Sequence, residues 1–363
     1  MKIAIIHDYF LSKSGGDRMM LFLAEQLDAD IVTWFATDKT FDLSHMRVRQ
    51  LGKPLLTPGF RHFYQNLLFR FGTRFLKDYD VVFFSGNSLS AVSNVRGLKI
   101  LYCHTPPRYA YDQLDNYAKR FPAFLRPVFK LGVKIIQNSF QRNMEKMDHV
   151  IANSATVAKR LKDYFGIDAP IIYPPCDIVA AKVYPRKPAN HFISWARLEP
   201  MKRIDVLIEA FKQRPEKTLI IASFGSMKEK LEKQAEGYPN IKFVGLISDE
   251  ELAQYLAGAL ASIYIPINED FGMTPVESLA TGTPTIGVQE GGLTETIDHM
   301  KTGYLCPANP TPDDVIKAID MFTPELSLSM ESACKESAKR FGKDKFIGEM
   351  KKLIEKQKAK SRK

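Results

Sequence analysis

Short apolar runs alternate with segments of helical periodicity along almost the whole chain. In the first half, their composition predicts strands at 2–7, 30–35, 80–86, 99–105 and 149–154. The second half predicts strands at 191–197, 217–225, 241–247, 261–267, 283–288 and 303–306. Helical patterns separate most of these runs, at 18–27, 117–146, 203–213, 226–235, 249–259 and 312–322.

The apolar runs are continuous rather than alternating, which is typical of strands buried on both faces of parallel sheets. The sequence therefore predicts an α/β protein with two doubly wound, Rossmann-like domains and a ligand cleft between them, lined by the strands' carboxyl ends. Periodicity lapses and proline density rises over 173–190. We place the first domain at 1–180 and the second at 181–342, and expect 343–363 to form a helix with a basic tail, packed back toward the first domain.

The composition, 45% hydrophobic in 363 residues, is enough to bury two cores. No apolar run reaches the roughly 18 residues of a membrane helix, and the amino-terminal MKIAIIHDYF is interrupted by His7 and Asp8, unlike a signal peptide. We therefore expect a cytoplasmic protein. Four scattered cysteines without a CxxC pair predict reduced, mostly buried thiols rather than a zinc site or disulfides.

The net charge of +10 lies mostly in the first half, which has 25 basic and 16 acidic residues up to Val183. Between 53 and 145, basic residues are interleaved with aromatic ones at roughly helical spacing. This pattern fits a helix lying on anionic lipid better than one that reads nucleic acid bases. A solvated basic face over an apolar core stripe is the alternative that remains open. The lipid hypothesis names Arg61, Arg70, Arg74, Lys119, Arg126 and Lys130.

The segment EDFGMTPVE (269–277) follows the apolar run 261–267 and predicts a loop leading into a short helix closed by Gly282. Glu269 is expected at the strand's carboxyl end and Glu277 inside the helix. At the amino end of a helix, free N–H groups and the macrodipole favour an anion such as a diphosphate. The amides expected there belong to Phe271, Gly272, Met273 and Thr274. The glutamate spacing alone is weak evidence, because about one such pair arises by chance.

Three other loops follow predicted strands. Gly15 and Gly16 precede a predicted helix, where glycines let backbone amides approach a phosphate, although Gly-Gly is often only a turn. Arg197 and Lys202 could hold a diphosphate and stabilise its charge as it leaves, unless they only form surface salt bridges. His104 ends a first-domain strand and could contact a sugar hydroxyl, although a lone histidine is more often structural.

In combination, these motifs resemble retaining glycosyltransferases of family four, which have the GT-B fold. The resemblance covers nearly the whole chain and keeps the family's order of motifs. Its elements are the Gly-Gly first loop, HTP (104–106), ANS (152–154), YPP (173–175), RLxxxK (197–202), EDFGMTPVE and GTPTIGVQEGGLTE (282–295). The chain departs from the family with GGDR in place of Gly-Gly-x-Glu and with SFGSM (223–227) in place of a Gly-x-Gly turn.

The resemblance implies a nucleotide-sugar donor held by the second domain, an acceptor approached from the first, and no metal or other cofactor. Arg197 and Lys202 would bind the donor diphosphate, and Glu277 would accept hydrogen bonds from the ribose. Glu269 would lie beside the transferred sugar, with the amides of 271–274 on sugar or phosphate. From the other lobe, His104 would contact the sugar and Gly16 would bring the first loop to the phosphate.

The loops CHTPPRYAYD (103–112) and EDFGMTPVE look most like those of bacterial or archaeal mannosyltransferases that use GDP-mannose to build surface polysaccharides. The resemblance thus implies transfer of a hexose to a glycan or lipid-linked glycan, with retention of anomeric configuration. Transfer from a UDP- or dTDP-sugar and epimerisation of a sugar nucleotide are alternatives. A non-enzymatic scaffold that binds lipid or nucleic acid is a third, which the intact Arg197, Lys202, Glu269 and Glu277 disfavour.

Overall fold

The computed structural model describes residues 1–11, 14–37, 41–55, 60–119, 121–176 and 184–361. The chain divides into two compact units, Met1–Tyr173 and Pro174–Lys363, and each is described by itself. The predicted boundary between 180 and 181 lies outside the described residues.

In the described part of the first unit, the strands are β1 (Ile3–His7), β2 (Asp30–Thr33), β3 (Val48–Gln50), β4 (Val81–Ser85), β5 (Leu98–Cys103) and β6 (His149–Ala152). They form one parallel sheet in the order β3-β2-β1-β4-β5-β6. Ile5 of β1 lies opposite Ile31 of β2 and Phe83 of β4. All residues of β1 and β4 are buried, as the continuous apolar runs predict.

The α-helices of the first unit are α1 (Gly15–Leu27), α2 (Phe60–Gly72), α3 (Leu114–Ala118), α4 (Arg126–Met144) and α5 (Ala155–Phe165). Short 3₁₀ helices occupy Arg74–Asp78, Ser88–Asn94, Arg108–Ala110 and Ala123–Leu125. Ser14 caps α1 by accepting the N–H of Asp17, and Ser154 caps α5 in the same way through Val157. The two glycines that we expected before α1 are therefore its first two residues.

In the second unit, the strands are β7 (His191–Ser194), β8 (Thr218–Ile221), β9 (Ile241–Phe243), β10 (Ala261–Ile263), β11 (Thr285–Val288) and β12 (Gly303–Cys306). Over the described residues they form a parallel sheet in the order β12-β11-β10-β7-β8-β9. The helices are α6 (Ile204–Lys212), α7 (Lys228–Gln234), α8 (Asp249–Gly258), α9 (Met273–Ala280), α10 (Leu293–Thr296), α11 (Pro312–Met321), α12 (Pro324–Ser329), α13 (Glu331–Ala338) and α14 (Lys343–Ser361), with 3₁₀ turns at Pro200–Lys202 and Lys339–Phe341.

In both sheets the strand order changes direction at the centre. The first three strands of each unit extend one half of its sheet, and the next three extend the other half. The reversals fall between β1 and β4 and between β7 and β10. In doubly wound folds, the crevice outside the strands' carboxyl ends at such a point binds ligands.

Several predicted strands end two to four residues earlier in the structure, among them β5, β7, β8 and β9, and three larger differences concern a helix, the strand before Glu269 and an edge strand. The helical pattern at 117–146 is divided among α3, a 3₁₀ turn and α4, with Pro122 at the break, where the missing N–H prevents a continuous helix. The strand predicted at 261–267 ends at Ile263, so Glu269 lies in a loop six residues beyond the strand rather than at its end. The edge strand β3 was missed because it is short and mostly exposed.

The surface of α4 and the turn before it is apolar along one side. Phe124, Val128, Leu131 and Ile135 recur at helical spacing, and each exposes at least 65% of its area. We call these four residues the α4 apolar face. No described helix is long and apolar enough to cross a membrane. Cys103, Cys176, Cys306 and Cys334 are buried thiols, as predicted.

Arg61 does not belong to an exposed basic surface, contrary to the lipid hypothesis. Its guanidinium donates to the Tyr9 hydroxyl and lies 4.8 Å from the centre of the Tyr9 ring. Lys119, Arg126 and Lys130 are exposed, as that hypothesis requires.

Candidate active site

The loops that follow β7 and β10 carry most of the predicted site in the second unit. Trp195 and Arg197 come directly after β7, and Lys202 ends the 3₁₀ turn Pro200–Lys202. Tyr264 is the first residue after β10. Because β7 and β10 are neighbours at the point where the sheet reverses, their loops emerge side by side at the ligand-binding edge.

Lys202, Tyr264 and Glu269 form a closed hydrogen-bonded cluster. The Lys202 ammonium lies 2.7 Å from Oε2 of Glu269 and 2.7 Å from the Tyr264 hydroxyl, which donates to the same Oε2 at 2.9 Å. The Lys202 and Glu269 side chains keep only 16% and 21% exposure. If either side chain of such a shielded ion pair moved away, the charge of the other would be poorly solvated. The pair therefore keeps Lys202 and Glu269 in contact.

Tyr264 is a neutral member of this cluster. Burial raises the pKa of its hydroxyl well above the ordinary value, and the Glu269 carboxylate raises it further. The nearby charge of Arg197 acts in the opposite direction, which places this exposed guanidinium within electrostatic reach of the cluster. Arg197 and Lys202 therefore lie near the carboxylates of Glu269 and Asp270 at the predicted donor site.

Arg203 fixes the loop between β10 and Glu269. It adopts a left-handed backbone conformation (φ 51°) and is buried. Its guanidinium donates to the carbonyls of Ile265 and Pro266 and to Oε1 of Glu290. Glu290 in turn accepts the N–H of Asn268 at 3.1 Å. The side chains of Arg203 and Glu290 thus hold the loop through its backbone groups. The Glu269 side chain is not needed to fix the loop and bonds to Lys202 and Tyr264 instead.

The Gly291–Gly292 pair lets a second loop approach the same segment. A Cβ on Gly291 would lie 2.4 Å from the carbonyl oxygen of Glu269, and one on Gly292 would lie 2.4 Å from Cα of Phe271. Gly292 instead donates its N–H to the Glu269 carbonyl at 2.8 Å. This close approach explains why EGG follows β11 in the motif 282–295.

Helix α9 starts at Met273, after Gly272 in a left-handed conformation (φ 93°). Met273 and Thr274 are its first residues, so their N–H groups have no acceptor within the helix. The side chain of Phe271 is buried and packs edge-on against Phe341, with ring centres 5.3 Å apart. Only its backbone can therefore serve a ligand. The helix begins within the segment 271–274, close to where the sequence predicts, and an anion site at this helix start stays a prediction.

Glu277 lies one turn into α9 and is oriented by Trp195. The indole Nε1–H donates to Oε2 of Glu277 at 3.0 Å. A carboxylate has about four acceptor sites, so a single indole N–H does not saturate it. The structure thus joins the residue after β7 to the helix after β10.

A turn after β8 supports the Arg197 loop. Leu198 exchanges backbone hydrogen bonds of 2.9 Å with Phe224 and Met227. A Cβ on Gly225 would lie 2.4 Å from the Leu198 carbonyl oxygen, so glycine is required for this contact. The SFGSM sequence therefore supplies a support for the Arg197 loop.

In the first unit, His7, Ser85 and His104 lie at or just beyond the ends of the adjacent strands β1, β4 and β5. His104 Nε2 lies 3.1 Å from the Ser85 hydroxyl. Burial, and secondarily His7, lower the pKa of His104 to about 3, so this imidazole is neutral at physiological pH. Gly16 faces the ring: a Cβ there would lie 3.4 Å from Cε1 of His104.

Two family models together match 13–341. The model described as Glycosyltransferase Family 4 matches 13–179, and the model described as Glycosyl transferases group 1 matches 180–341. The chain belongs to the family 4 type of glycosyltransferases. Of the relatives, human alpha-1,3/1,6-mannosyltransferase ALG2 is 28% identical over 64% of this chain and 61% of its own length. D-inositol 3-phosphate glycosyltransferase of Nocardioides is 26% identical over 47% and 45%.

The glycosyltransferase spans about half to two thirds of the length of these relatives. Its fold matches the GT-B class, as expected. The structure of Anabaena Alr3699/HepE in complex with UDP and glucose aligns with a TM-score of 0.73 at 17% identity, over 98% of this chain and 99% of that one.

The structure brings Lys202 and Glu269 of this glycosyltransferase into direct contact, and it places Glu277 one helical turn beyond the amides of 271–274. Sequence reasoning missed Trp195, Tyr264 and Arg203. Tyr264 falls in the apolar run 261–267, which predicts a buried strand and gives no indication of a role for its hydroxyl. Arg203 falls at the start of the helix predicted at 203–213, and its contacts to Ile265, Pro266 and Glu290 are too distant in sequence to be foreseen.

Proposed function

We propose that this glycosyltransferase moves mannose from GDP-mannose to a glycan or lipid-linked glycan acceptor in the synthesis of a surface polysaccharide. The observation that carries the proposal is the Lys202–Tyr264–Glu269 cluster beside Arg197 and the start of α9. The ammonium can stabilise a departing diphosphate, while the carboxylate can accept sugar hydroxyls. The relationship to human ALG2, a mannosyltransferase, favours mannose.

In this proposal, positive charge at the diphosphate comes from the protein. Arg197 and Lys202 supply two cations, and the N–H groups of Met273 and Thr274 supply the partial charge of a helix amino end. Transfer would then need no metal ion. Departure of the diphosphate and attack by the acceptor on the same face of the sugar would retain the anomeric configuration, which NMR of the product measures directly.

A UDP-sugar is the second candidate donor. It is favoured by the similar fold of Anabaena HepE, which was crystallised with UDP and glucose. A panel of GDP-mannose, UDP-glucose, UDP-N-acetylglucosamine and dTDP-glucose, each with and without a lipid-linked oligosaccharide extract, separates the candidates. We expect acceptor-dependent release of GDP from GDP-mannose.

Release of UDP alone in that panel would replace mannose transfer by transfer from a UDP-sugar. Conversion of a donor into its epimer, without release of a nucleoside diphosphate, would identify an epimerase instead. Retention on DNA without any turnover would support the non-enzymatic alternative.

We further propose that the first unit rests on the anionic surface of a membrane, where a lipid-linked acceptor would be reached. The α4 apolar face is too extended to be a scatter of single exposed residues. Exposed cations accompany it at Arg126, Lys130, Lys134 and Arg142. A helix with exposed apolar and basic residues in this arrangement is typical of proteins that lie in the headgroup region.

Helix α2 extends the same character. Phe63, Leu67 and Phe71 are exposed at intervals of four residues, with Arg70 beside them. Both α2 and α4 pack against the 3₁₀ segment Ser88–Asn94, so they are neighbours in the first unit. The proposed location is therefore peripheral, on the cytoplasmic face of the membrane.

A further inference from the structure

The Tyr264 hydroxyl connects the two charged side chains of the cluster in the second unit. It lies 2.7 Å from the Lys202 ammonium and donates to Oε2 of Glu269 at 2.9 Å. A tyrosine hydroxyl has one hydrogen to donate and lone pairs to accept, so it serves both partners at once. Because burial and the Glu269 carboxylate raise the pKa of this hydroxyl, it keeps the hydrogen that it donates.

The ring of Tyr264 is fixed by the fold. The residue directly follows β10, is only 5% exposed and packs in the core of the second unit. Its backbone N–H donates to the carbonyl of Ile286 in β11 at 2.9 Å. Lys202, in contrast, carries its ammonium on a long side chain that loses much conformational entropy when it is held in one place. Contact with the fixed hydroxyl therefore restricts where the ammonium can lie.

The backbone of the two loops has supports of its own. The N–H of Ile267 donates to the carbonyl of Met201 at 2.8 Å, which joins the loop after β10 to the turn Pro200–Lys202. Arg203 holds the same loop through two of its carbonyls. Loss of the Tyr264 hydroxyl would therefore release side chains and leave the loops in place.

Lys202 can bind a ligand without leaving Tyr264. An ammonium has three hydrogens, and Tyr264 and Glu269 accept two of those of Lys202. The third can be donated to a diphosphate oxygen. The ammonium also lies 5.0 Å from the centre of the Tyr264 ring, within the range of a cation–π contact.

We propose that Tyr264 is a positioning residue: its hydroxyl, itself held by Glu269, keeps the Lys202 ammonium where it can stabilise a departing diphosphate. This inference rests on the proposed function for the role of Lys202. The alternative is a buried hydroxyl that only satisfies its own hydrogen bonds. The two differ in whether the hydroxyl affects turnover through Lys202.

Tyr264→Phe removes the hydroxyl and keeps the buried ring with its cation–π contact. With the donor that the wild type uses, we expect kcat to fall about tenfold with little change in the affinity for the nucleoside diphosphate, because positioning matters most as charge develops. Tyr184→Phe is the matched control, since Tyr184 also donates to a glutamate of the second unit, Glu250 on α8, at 2.8 Å. It should retain wild-type kinetics. Wild-type kcat in Tyr264→Phe would overturn the positioning role.

A double-mutant cycle tests whether the hydroxyl acts through Lys202. A positioning residue has nothing to position once the ammonium is gone. The kcat of Lys202→Ala combined with Tyr264→Phe should therefore match that of Lys202→Ala within about twofold. A further tenfold fall in the double variant, as independent effects would give, would overturn the inference.

A measurement without donor separates this inference from the proposed function. Side-chain ¹⁵N–¹H spectra of the full-length protein detect lysine ammonium groups whose hydrogens are held in hydrogen bonds, and Lys202→Ala identifies the Lys202 signal. We expect this signal in the wild type and in Tyr184→Phe, and its broadening or loss in Tyr264→Phe. Its absence from the wild type, or an unchanged signal in Tyr264→Phe, would overturn the inference. If the wild type turns over no nucleotide sugar, the proposed function fails, whereas the spectra still decide whether Tyr264 holds Lys202.

Discussion

Lys202 is held by two partners on the same side of the site, which has consequences for its replacement. Lys202→Ala removes the cation that offsets charge on a departing diphosphate and leaves Glu269 bonded only to Tyr264 among the partners described above. Because the cation matters most when negative charge develops, we expect kcat to fall about 10²-fold or more, with a smaller change in donor affinity. Steady-state kinetics and calorimetric binding of the donor separate the two effects.

Lys212→Ala is the control for that experiment. Lys212 also pairs with a glutamate, Glu209, at 2.9 Å, and its side chain is shielded to a similar degree, with 20% exposure against 16% for Lys202. It should retain wild-type kinetics, because this pair lies on α6 and not in the loops after β7 and β10. Unchanged turnover in Lys202→Ala would remove Lys202 from the proposed mechanism.

Glu277 is expected to act on binding rather than on turnover. It is held by the Trp195 indole and is assigned to the ribose, which does not change during the reaction. Glu277→Ala should therefore weaken donor binding about 10- to 100-fold with kcat nearly preserved, since it removes hydrogen bonds to a charged acceptor. Trp195→Phe should weaken it less. A large fall in kcat at saturating donor would contradict this assignment.

At the scale of elements, α4 offers the clearest test. Replacing Val128 and Leu131 by serine removes apolar contacts, and replacing Lys130 and Lys134 by glutamate reverses the charge. We expect each pair to reduce flotation with phosphatidylglycerol vesicles several-fold, and the charge pair to lose the salt dependence of binding.

The matched control for α4 is a double replacement of Lys228 and Lys230 by glutamate on α7, in the second unit, where both side chains are exposed. It changes the net charge equally and should float like the wild type. Equal flotation of all variants would exclude α4 as the contact, and equal binding to phosphatidylcholine would exclude an anionic requirement.

The predictability of the elements followed the strength of their local signals. Buried strands such as β1 and β4 were found because their apolar runs are continuous, and α9 was found because its start and end are marked by Gly272 and Gly282. The Lys202–Glu269 contact, between residues 67 apart, depends on how two loops fold. Side-chain hydrogen bonds connect Asp17 of α1 with His7, Ser85 and His104 at the ends of three strands. No spacing in the sequence could reveal these contacts.

At the scale of the whole molecule, each of the two units has its own apolar core. Among the described apolar residues, one cluster surrounds Trp34, Phe69 and Phe84 in the first unit, and the second unit has a cluster around Phe192 and Phe211 and a smaller one around Ile193 and Leu256. The sequence contains two tryptophans, and one lies in each unit: Trp34 is fully buried, whereas Trp195 adjoins the proposed donor site. Tryptophan fluorescence can therefore follow each unit separately during unfolding.

We predict that a nucleoside diphosphate stabilises the second unit more than the first. In Trp34→Phe, Trp195 reports the second unit, and in Trp195→Phe, Trp34 reports the first. GDP at about 100 times the Kd of each variant contributes about 2.7 kcal/mol to the state that binds it, which corresponds to an increase in Tm of several degrees. The increase should be larger for the Trp195 signal, because Arg197, Lys202 and Glu277 all belong to the second unit. Equal increases would mean that the units unfold as one cooperative block, and a larger increase for Trp34 would move the diphosphate site to the first unit.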